Sequence, residues 1–216
     1  MVIAIDGPAG AGKGTIAKLV AEKLNLVYID TGAMYRCVAL ASLRNHLSLN
    51  DIDEIIALSK KIRIEFDEDR NVYLDRENVS SEIRDKEVTS IVSQVSSIIP
   101  VREEMVKQQR KLGEGLNVIM EGRDITTVVF PKAEYKFYLD ASVEERTRRR
   151  VKENKEKGIY SDYDEIKKNI EERDYNDMHK EVGSLIRTDE QIYIDSTNMS
   201  IDEVVDFIIK RVGEVK

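Results

Sequence analysis

Residues 2–15 read VIAIDGPAGAGKGT, and this stretch decides the fold. A short apolar run comes first, a glycine-rich loop follows, and apolar side chains then recur at the spacing of one helical face. A strand, a GxxxxGK loop and a helix in this order favour a phosphate-binding loop, because backbone N–H groups and the helix N-terminus converge on an anion. The residues expected to form this loop are Gly7, Pro8, Ala9, Gly10, Ala11, Gly12, Lys13, Gly14 and Thr15.

The position after Lys13 departs from the usual loop, which carries a hydroxyl there, because this chain has Gly14. Thr15 follows it, and we expect its hydroxyl to reach a magnesium-bound water or a phosphate from the first helical turn. Lys13 is expected to reach the β- and γ-phosphates of a nucleotide. The strand-like NVIMEG ends in Glu121, where a P-loop protein usually holds the metal shell. An acid at a strand end is also a common cap, but beside this loop we favour the metal role.

The rest of the chain alternates short apolar runs with helical patterns, which is typical of an α/β fold with a parallel sheet. We therefore predict a P-loop NTPase fold, with a five-stranded parallel sheet flanked by helices. The expected strands are Val2–Ile5, Leu26–Ile29, Asn117–Met120, Tyr135–Leu139 and Gln191–Ile194.

Two segments break this rhythm. Apolar residues alternate with polar ones over 62–74, which predicts an antiparallel hairpin, with a third short strand near 78–80. Helices are expected to follow, the second with Pro100 at its start. The charge-dense stretch 146–180 predicts a helical arm. Gly158 and Ser161–Asp162 are expected to divide it into two helices, and either Ser161 or Asp162 is expected to cap the second helix.

Composition excludes several classes of protein. With 216 residues and a net charge of −7, the chain is expected to be one globular domain and not a general nucleic-acid binder. The single cysteine allows no internal disulfide. The two histidines lie far apart in the sequence, which argues against a zinc site. The start of the sequence shows no basic leader or long apolar run, so we expect a cytoplasmic protein without a membrane partner.

Several longer motifs identify a family resemblance. Together with GPAGAGKGT, they resemble the bacterial cytidylate kinases over nearly the whole chain; they are IDTGAMYR (29–36), SQVSSIIPVRE (93–103), EGRDITTVVFP (121–131), YLDASVEERTRRR (138–150) and EERDYND (171–177). The resemblance implies transfer of the γ-phosphoryl group of ATP to CMP or dCMP, with Mg²⁺, in pyrimidine nucleotide metabolism. It also implies a single monomeric kinase domain with a core (1–60, 114–145 and 185–216), a substrate-binding insertion (about 61–113) and a lid (about 146–184).

The resemblance also assigns residues to the acceptor nucleotide. Arg36 and Arg123 match the contacts to the acceptor phosphate, which suits the planar fork of arginine, and Thr31 lies on the same segment as Arg36. Asp124 is implied to accept from the cytosine amino group, while Ser93 and Arg102 donate to the ring acceptors. Uracil would turn a carbonyl toward Asp124, so we expect UMP to react more weakly than CMP.

Two helical groups complete the implied site. Arg173 and Asp177 match the ribose-contacting residues, although alone they read as an ordinary i,i+4 ion pair. Lys180 stands where the family has arginine, which keeps the charge and loses the fork. Lid arginines are implied to fold over ATP and stabilise the transition state, the alternative being a solvated basic face. The expected catalytic residues are Lys13, Arg123, Arg146, Arg149 and Arg150.

Two alternatives stay open at this point. A kinase of the same fold could act on another acceptor, such as UMP or a metabolite hydroxyl, although Ser93, Arg102 and Asp124 argue against it. A nucleotide-binding regulator without phosphotransfer would need segments that sense the γ-phosphate and bind partners. The arginine-rich segments instead suit a second phosphorylated ligand, which favours an enzyme.

Overall fold

The computed structural model describes residues 1–67, 69–156 and 158–214, and within these ranges the chain forms eight strands and eight α-helices. In chain order they are β1 (Val2–Asp6), α1 (Lys13–Leu24), β2 (Val27–Asp30), α2 (Thr31–Arg44), α3 (Ile52–Ser59), β3 (Ile64–Phe66), β4 (Val72–Leu74), β5 (Glu77–Asn78), α4 (Lys86–Val95), α5 (Ile99–Gly113), β6 (Val118–Gly122), β7 (Tyr135–Asp140), α6 (Val143–Glu156), α7 (Tyr163–Met178), β8 (Ile192–Asp195) and α8 (Ile201–Gly213). A 3₁₀ turn (Glu82–Arg84) precedes α4, and a π-helical turn (Ile125–Val129) follows β6.

The main sheet has five strands in the order β2-β6-β1-β7-β8. β1 pairs in parallel with both β6 and β7, and β7 pairs in parallel with β8. The central place of β1 agrees with its continuous apolar run, since Ile3, Ala4 and Ile5 are fully buried. The predicted fold class and all five predicted strands are confirmed, each with ends within two residues of those expected.

The strand order indicates where a ligand can bind to the sheet. β6 and β7 follow each other along the chain yet lie on opposite sides of β1. In such sheets, ligands bind outside the carboxyl ends of the strands at the point where the order reverses. The segments that leave β1, β6 and β7 therefore meet at one edge.

The chain divides into two compact units, each with its own apolar core. The first unit consists of Met1–Tyr28 and Leu116–Lys216, and its core residues include Ile3, Ile5, Phe137, Val204 and Ile208. The second unit is Ile29–Gly115, and its core residues include Met34, Cys37, Ile55, Ile83 and Met105. The division into core, insertion and lid drawn from the sequence remains a prediction.

The second unit combines α2–α5 with a small antiparallel sheet of order β3-β4-β5. Ile64 pairs with Leu74 and Phe66 with Val72, so the predicted hairpin is confirmed. The third strand lies at Glu77–Asn78, slightly earlier than expected. Pro100 lies in the first turn of α5, as predicted, where its missing N–H costs no helical hydrogen bond.

The charged arm of the first unit forms α6 and α7. Asp162 caps α7, since its side chain accepts from the Glu165 backbone N–H at 2.9 Å, which confirms the expected cap. Glu165 and Asp164 add acidic charge in the first turn, where the helix dipole favours it. No helix in the described ranges is both long and apolar enough to span a bilayer.

Candidate active site

The loop that follows β1 has the backbone of a phosphate cradle. A Cβ on Gly7 would lie 2.0 Å from the Leu139 carbonyl oxygen, so only glycine fits between β1 and β7. Gly12 takes a left-handed conformation (φ 91°) as the N-cap of α1. The helix therefore begins at Lys13, and its first N–H groups are directed at the loop, as the sequence predicts.

Lys13 is held inside this loop. Its side chain is 5% exposed, and its Nζ donates to the Pro8 carbonyl oxygen at 2.9 Å and lies 4.0 Å from Glu121 Oε2. Burial, together with the positive charge of Arg123, lowers the pKa of Lys13 to about 7, which Glu121 only partly offsets. A phosphate arriving at the loop would favour the charged amine and reverse this shift.

The local structure explains why residue 14 is a glycine. A Cβ at this position would lie 3.3 Å from Glu121 Oε1 and 3.4 Å from the Tyr28 hydroxyl. The Tyr28 hydroxyl donates to Glu121 Oε1 at 3.4 Å. The space that a side chain at 14 would enter is thus already lined by a hydroxyl and a carboxylate. The glycine leaves Glu121 undisturbed.

Thr15 and Glu121 have the donor chemistry of a magnesium site, since Mg²⁺ prefers oxygen ligands. Thr15 is exposed beside the loop, and the Glu121 side chain is 14% exposed. Over the described residues, no group of three or more His, Cys, Asp or Glu side chains lies close enough to hold a metal ion. A magnesium ion would therefore take most of its ligands from water and phosphate, which is usual for nucleotide-bound Mg²⁺.

A cleft of about 500 Å³ opens beside the loop in the first unit. Its volume lies in the range of small-molecule sites. Its lining includes apolar side chains from α1 and α8 and charged side chains from α6. Its lining includes Gly12, Thr15, Ile16, Arg149, Met199 and Ile201.

Arg149 connects α6 to Ser196, another residue that lines this cleft. Its guanidinium donates to the Ser196 carbonyl oxygen at 2.6 Å and to Glu145 Oε1 at 3.0 Å. The same group lies 3.8 Å from where a Cβ on Gly12 would be. Arg150 also lines the cleft and pairs with Glu153, whereas Arg148 pairs with Glu145 on the exposed side. Both Arg149 and Arg150 line the cleft, and their catalytic role stays a prediction.

Arg146 has surroundings different from those of Arg149 and Arg150, because its guanidinium is buried and bound by protein acceptors. It donates to the Ala9 carbonyl oxygen at 3.0 Å, to Asp174 Oδ2 at 2.6 Å and to the Ala141 carbonyl oxygen at 2.9 Å. Arg146 is thus bonded to the phosphate loop, and it is not among the residues that line the cleft. Arg146 therefore anchors the loop to α6 and α7.

Asp177 lies beside three other residues named by the resemblance. Arg123 Nε donates to Asp177 Oδ2 at 2.7 Å, and Lys180 Nζ lies 3.0 Å from Oδ1. Burial alone would raise the pKa of Asp177, but Arg123, Lys180 and Arg173 hold it well below its usual range. Arg123 and Arg173 also act on Lys13, so positive charge from several segments concentrates near the phosphate loop.

Asp124 follows Arg123 and is 5% exposed. The turn after it is fixed by Asp6, a residue for which the sequence analysis gave no role. Asp6 accepts from the backbone N–H groups of Ile125 at 2.8 Å and Thr126 at 2.9 Å. The available signal was an acid at the end of an otherwise apolar strand, since a buried carboxylate needs hydrogen-bond donors.

The second unit carries the other residues implied for the acceptor. Thr31 is buried at the start of α2, and Arg36 donates to the Ile83 carbonyl oxygen at 3.0 Å and to Thr89 Oγ1 at 2.9 Å. Arg102 is 4% exposed and donates to the Ser96 carbonyl oxygen at 3.1 Å. Ser93 is half-buried on α4.

Comparison with known proteins gives a consistent assignment. The sequence profile of the cytidylate kinase family matches residues 3–214. A cytidylate kinase of Fusobacterium nucleatum is 47% identical and covers all of this chain and 99% of the relative. A cytidylate kinase of Desulforamulus reducens is 50% identical, with 99% and 97% coverage. In structure, shikimate kinase from Bacteroides thetaiotaomicron aligns over 99% of this chain and 98% of its own, with a TM-score of 0.51 at 14% identity, which supports the fold alone. The chain belongs to the cytidylate kinase family.

Proposed function

We propose that this protein transfers the γ-phosphoryl group of ATP to CMP or dCMP, producing ADP and CDP or dCDP. The observation that carries this proposal is the family match over residues 3–214. The geometry of the first unit supports it, because Arg123 and Arg173 add positive charge around the buried Lys13. Such a concentration of cations suits two ligands that each carry phosphate.

The phosphate loop and α6 serve the donor in this proposal. Backbone N–H groups of the loop and the amine of Lys13 bind the donor phosphates, and the cleft beside the loop receives the nucleoside. Arg149 and Arg150 stabilise the charge that develops on the transferring group. Arg146 acts at one remove, by holding the loop through the Ala9 carbonyl oxygen.

The transfer itself needs positioning and charge stabilisation more than a general base, because the acceptor is already a phosphate. An oxygen of the acceptor phosphate attacks the γ-phosphorus, and the bond to the oxygen bridging the β- and γ-phosphorus breaks. Arg36 and Arg123 hold the acceptor phosphate and suppress the repulsion between the two anions. Thr15 and Glu121 would hold Mg²⁺ through intervening water, and the ion would supply charge neutralisation to the donor phosphates.

Selectivity for cytosine follows from polar pairing. Asp124 accepts from the amino group of the base, and Ser93 and Arg102 donate to its acceptors. With uracil, a carbonyl would face the Asp124 carboxylate, and the buried groups would be mispaired. Asp177 and Arg173 contact the ribose, and Lys180 supplies charge without the bidentate geometry of arginine.

Product formation tests the proposal. Purified protein is incubated with ATP and Mg²⁺ and each of CMP, dCMP, UMP, AMP and GMP, and nucleoside diphosphates are separated and quantified. We expect CDP and dCDP as the main products, and loss of at least ~100-fold in turnover for Arg123→Ala, since one oriented charge group is removed. Arg148→Ala, on the exposed side of α6, serves as the control and should keep wild-type turnover. ATP hydrolysis that is indifferent to every monophosphate would overturn the proposal and favour a regulator instead.

The alternative acceptors receive no support from the family assignment. UMP as the main substrate would require a donor at the position of Asp124, which is an acid here. The monomeric state and the cytoplasmic location expected from the sequence remain predictions. Size-exclusion chromatography with light scattering would decide the first of them.

A further inference from the structure

A chain of hydrogen bonds runs through the interior of the first unit behind the Arg123–Asp124 segment. Thr126 Oγ1 donates to Asp6 Oδ2 at 2.5 Å, and Gln191 Nε2 donates to Thr126 Oγ1 at 2.5 Å. Gln191 Oε1 accepts from the Thr188 backbone N–H at 2.7 Å. Asp6 is fully buried, Thr126 is 3% exposed and Gln191 is 8% exposed. Each of these side chains needs its partner, because a buried polar group without a hydrogen bond destabilises the fold.

The Asp6 carboxylate acts as a helix cap supplied from a distant part of the chain. The turn Ile125–Val129 begins directly after Asp124, whose own side chain makes no capping hydrogen bond. Asp6 accepts from the two backbone N–H groups at the start of that turn. It therefore performs the function of an N-cap side chain, although 119 residues separate it from Ile125.

The cap fixes the direction in which the preceding residues point. Arg123 and Asp124 lie between the end of β6 at Gly122 and the capped turn, so their backbone is constrained at both ends. β1 and β6 are in register, with Asp6 opposite Gly122, which ties the cap to the strand that carries the segment. A shift of the turn would move the Asp124 carboxylate with it.

We propose that Asp6, Thr126 and Gln191 are positioning residues that set the orientation of Arg123 and Asp124, and hence the selectivity for the acceptor base. This inference rests on the proposed function. Asp6 precedes Gly7 of the phosphate loop, so a change there can also reach the donor. Thr126 and Gln191 lie away from that loop in sequence and separate the two effects.

The test compares kcat and KM for CMP, UMP and ATP in the wild-type protein and four variants. Thr126→Val removes the hydroxyl at nearly constant shape, Thr126→Ser restores it, and Gln191→Leu removes the next link. Tyr135→Phe is the matched control, because it deletes a buried hydrogen bond of the same unit, to the Val212 carbonyl oxygen at 3.0 Å, far from the segment. Unfolding midpoints are measured for all of them.

We expect Thr126→Val and Gln191→Leu to lower kcat/KM for CMP by about 10- to 100-fold, the cost of a misplaced contact. The CMP-to-UMP ratio of kcat/KM should fall at least ~5-fold while KM for ATP changes less than ~2-fold, and Thr126→Ser should recover most of the ratio. Tyr135→Phe should lose stability and keep the ratio.

Two results would overturn the inference. One is an unchanged CMP-to-UMP ratio in folded Thr126→Val, and the other is a loss shared equally by CMP, UMP and ATP, which a purely structural role would produce. Failure of the wild-type protein to phosphorylate CMP would instead overturn the proposed function, and the inference with it.

Discussion

Asp177 is a buried carboxylate of the first unit with positive charge on several sides. It lies 6% exposed between Arg123 and Lys180, with Arg173 adding a third positive charge. Removing one partner of a buried ion pair typically leaves an uncompensated charge. The carboxylate therefore stabilises the fold as well as any ligand that Arg123 binds.

This predicts a pH-dependent difference in stability between wild type and Asp177→Asn. The pKa of Asp177 in the folded protein lies below its usual value. The ionised carboxylate therefore stabilises the fold at every pH above the pKa of the unfolded chain. The variant should be less stable by about 3 kcal/mol at neutral pH. The difference should shrink as the pH falls below about 4, where the unfolded carboxyl takes up a proton. Denaturant unfolding between pH 3 and pH 8 measures it.

The control for this experiment is Asp206→Asn. Asp206 pairs with Lys23 at 3.0 Å, but both side chains are at least half exposed. Such a pair contributes only about 0–1 kcal/mol. A difference for Asp177→Asn that stays flat or grows as the pH falls would contradict the assigned electrostatics.

Single residues also show what the sequence could not give. The loop residues Gly7–Thr15 were predictable, because a strand, a glycine loop and a helix are all local patterns. The buried position of Arg146 was not, since helical spacing places Arg146, Arg149 and Arg150 on one face without saying what that face meets. Its acceptors come from Ala9, Ala141 and Asp174, which are distant along the chain.

At the scale of elements, α6 connects the phosphate loop to α7 through Arg146. Its guanidinium bonds both the Ala9 carbonyl oxygen and Asp174 Oδ2. The remaining Asp174 oxygen, Oδ1, is buried without a protein partner. Arg146 thus joins the loop, α6 and α7 through buried hydrogen bonds and one buried ion pair.

Arg146→Ala should therefore destabilise the protein by about 3–5 kcal/mol, since Asp174 would be left as an unpaired buried charge. It should also raise KM for ATP, because the Ala9 carbonyl oxygen loses its donor and the loop loses its anchor. Arg148→Ala, two residues further along α6 with its side chain largely exposed, should change stability by less than ~1 kcal/mol. Unfolding curves and ATP titrations measure both effects. Equal stability of the two variants would contradict the anchoring role.

The elements themselves were largely predictable. The five parallel strands and the hairpin were marked by apolar runs and by alternation, and the Asp162 cap by residue type. The π-helical turn Ile125–Val129 was not predicted. Its start is satisfied by Asp6 from another strand, and no pattern within residues 121–131 records that contact.

At the scale of the whole molecule, two units with separate cores carry the residues that we assign to the ligands. The first holds the phosphate loop, the cleft that we assign to the donor and the Arg123–Asp124 segment. The second holds Arg36, Ser93 and Arg102. Periodicity predicted the fold class, whereas the assignment of a base pocket needed the family resemblance, because no local pattern distinguishes a base-binding arginine from a surface ion pair.

The proposed function requires the protein to select cytosine through Asp124. The most direct test is the ratio of kcat/KM for CMP to that for UMP, measured with saturating ATP and Mg²⁺. We predict that the ratio exceeds ~100, because a buried site built for the cytosine amino group leaves its carboxylate mispaired with uracil. Equal values of kcat/KM for CMP and UMP would contradict the account.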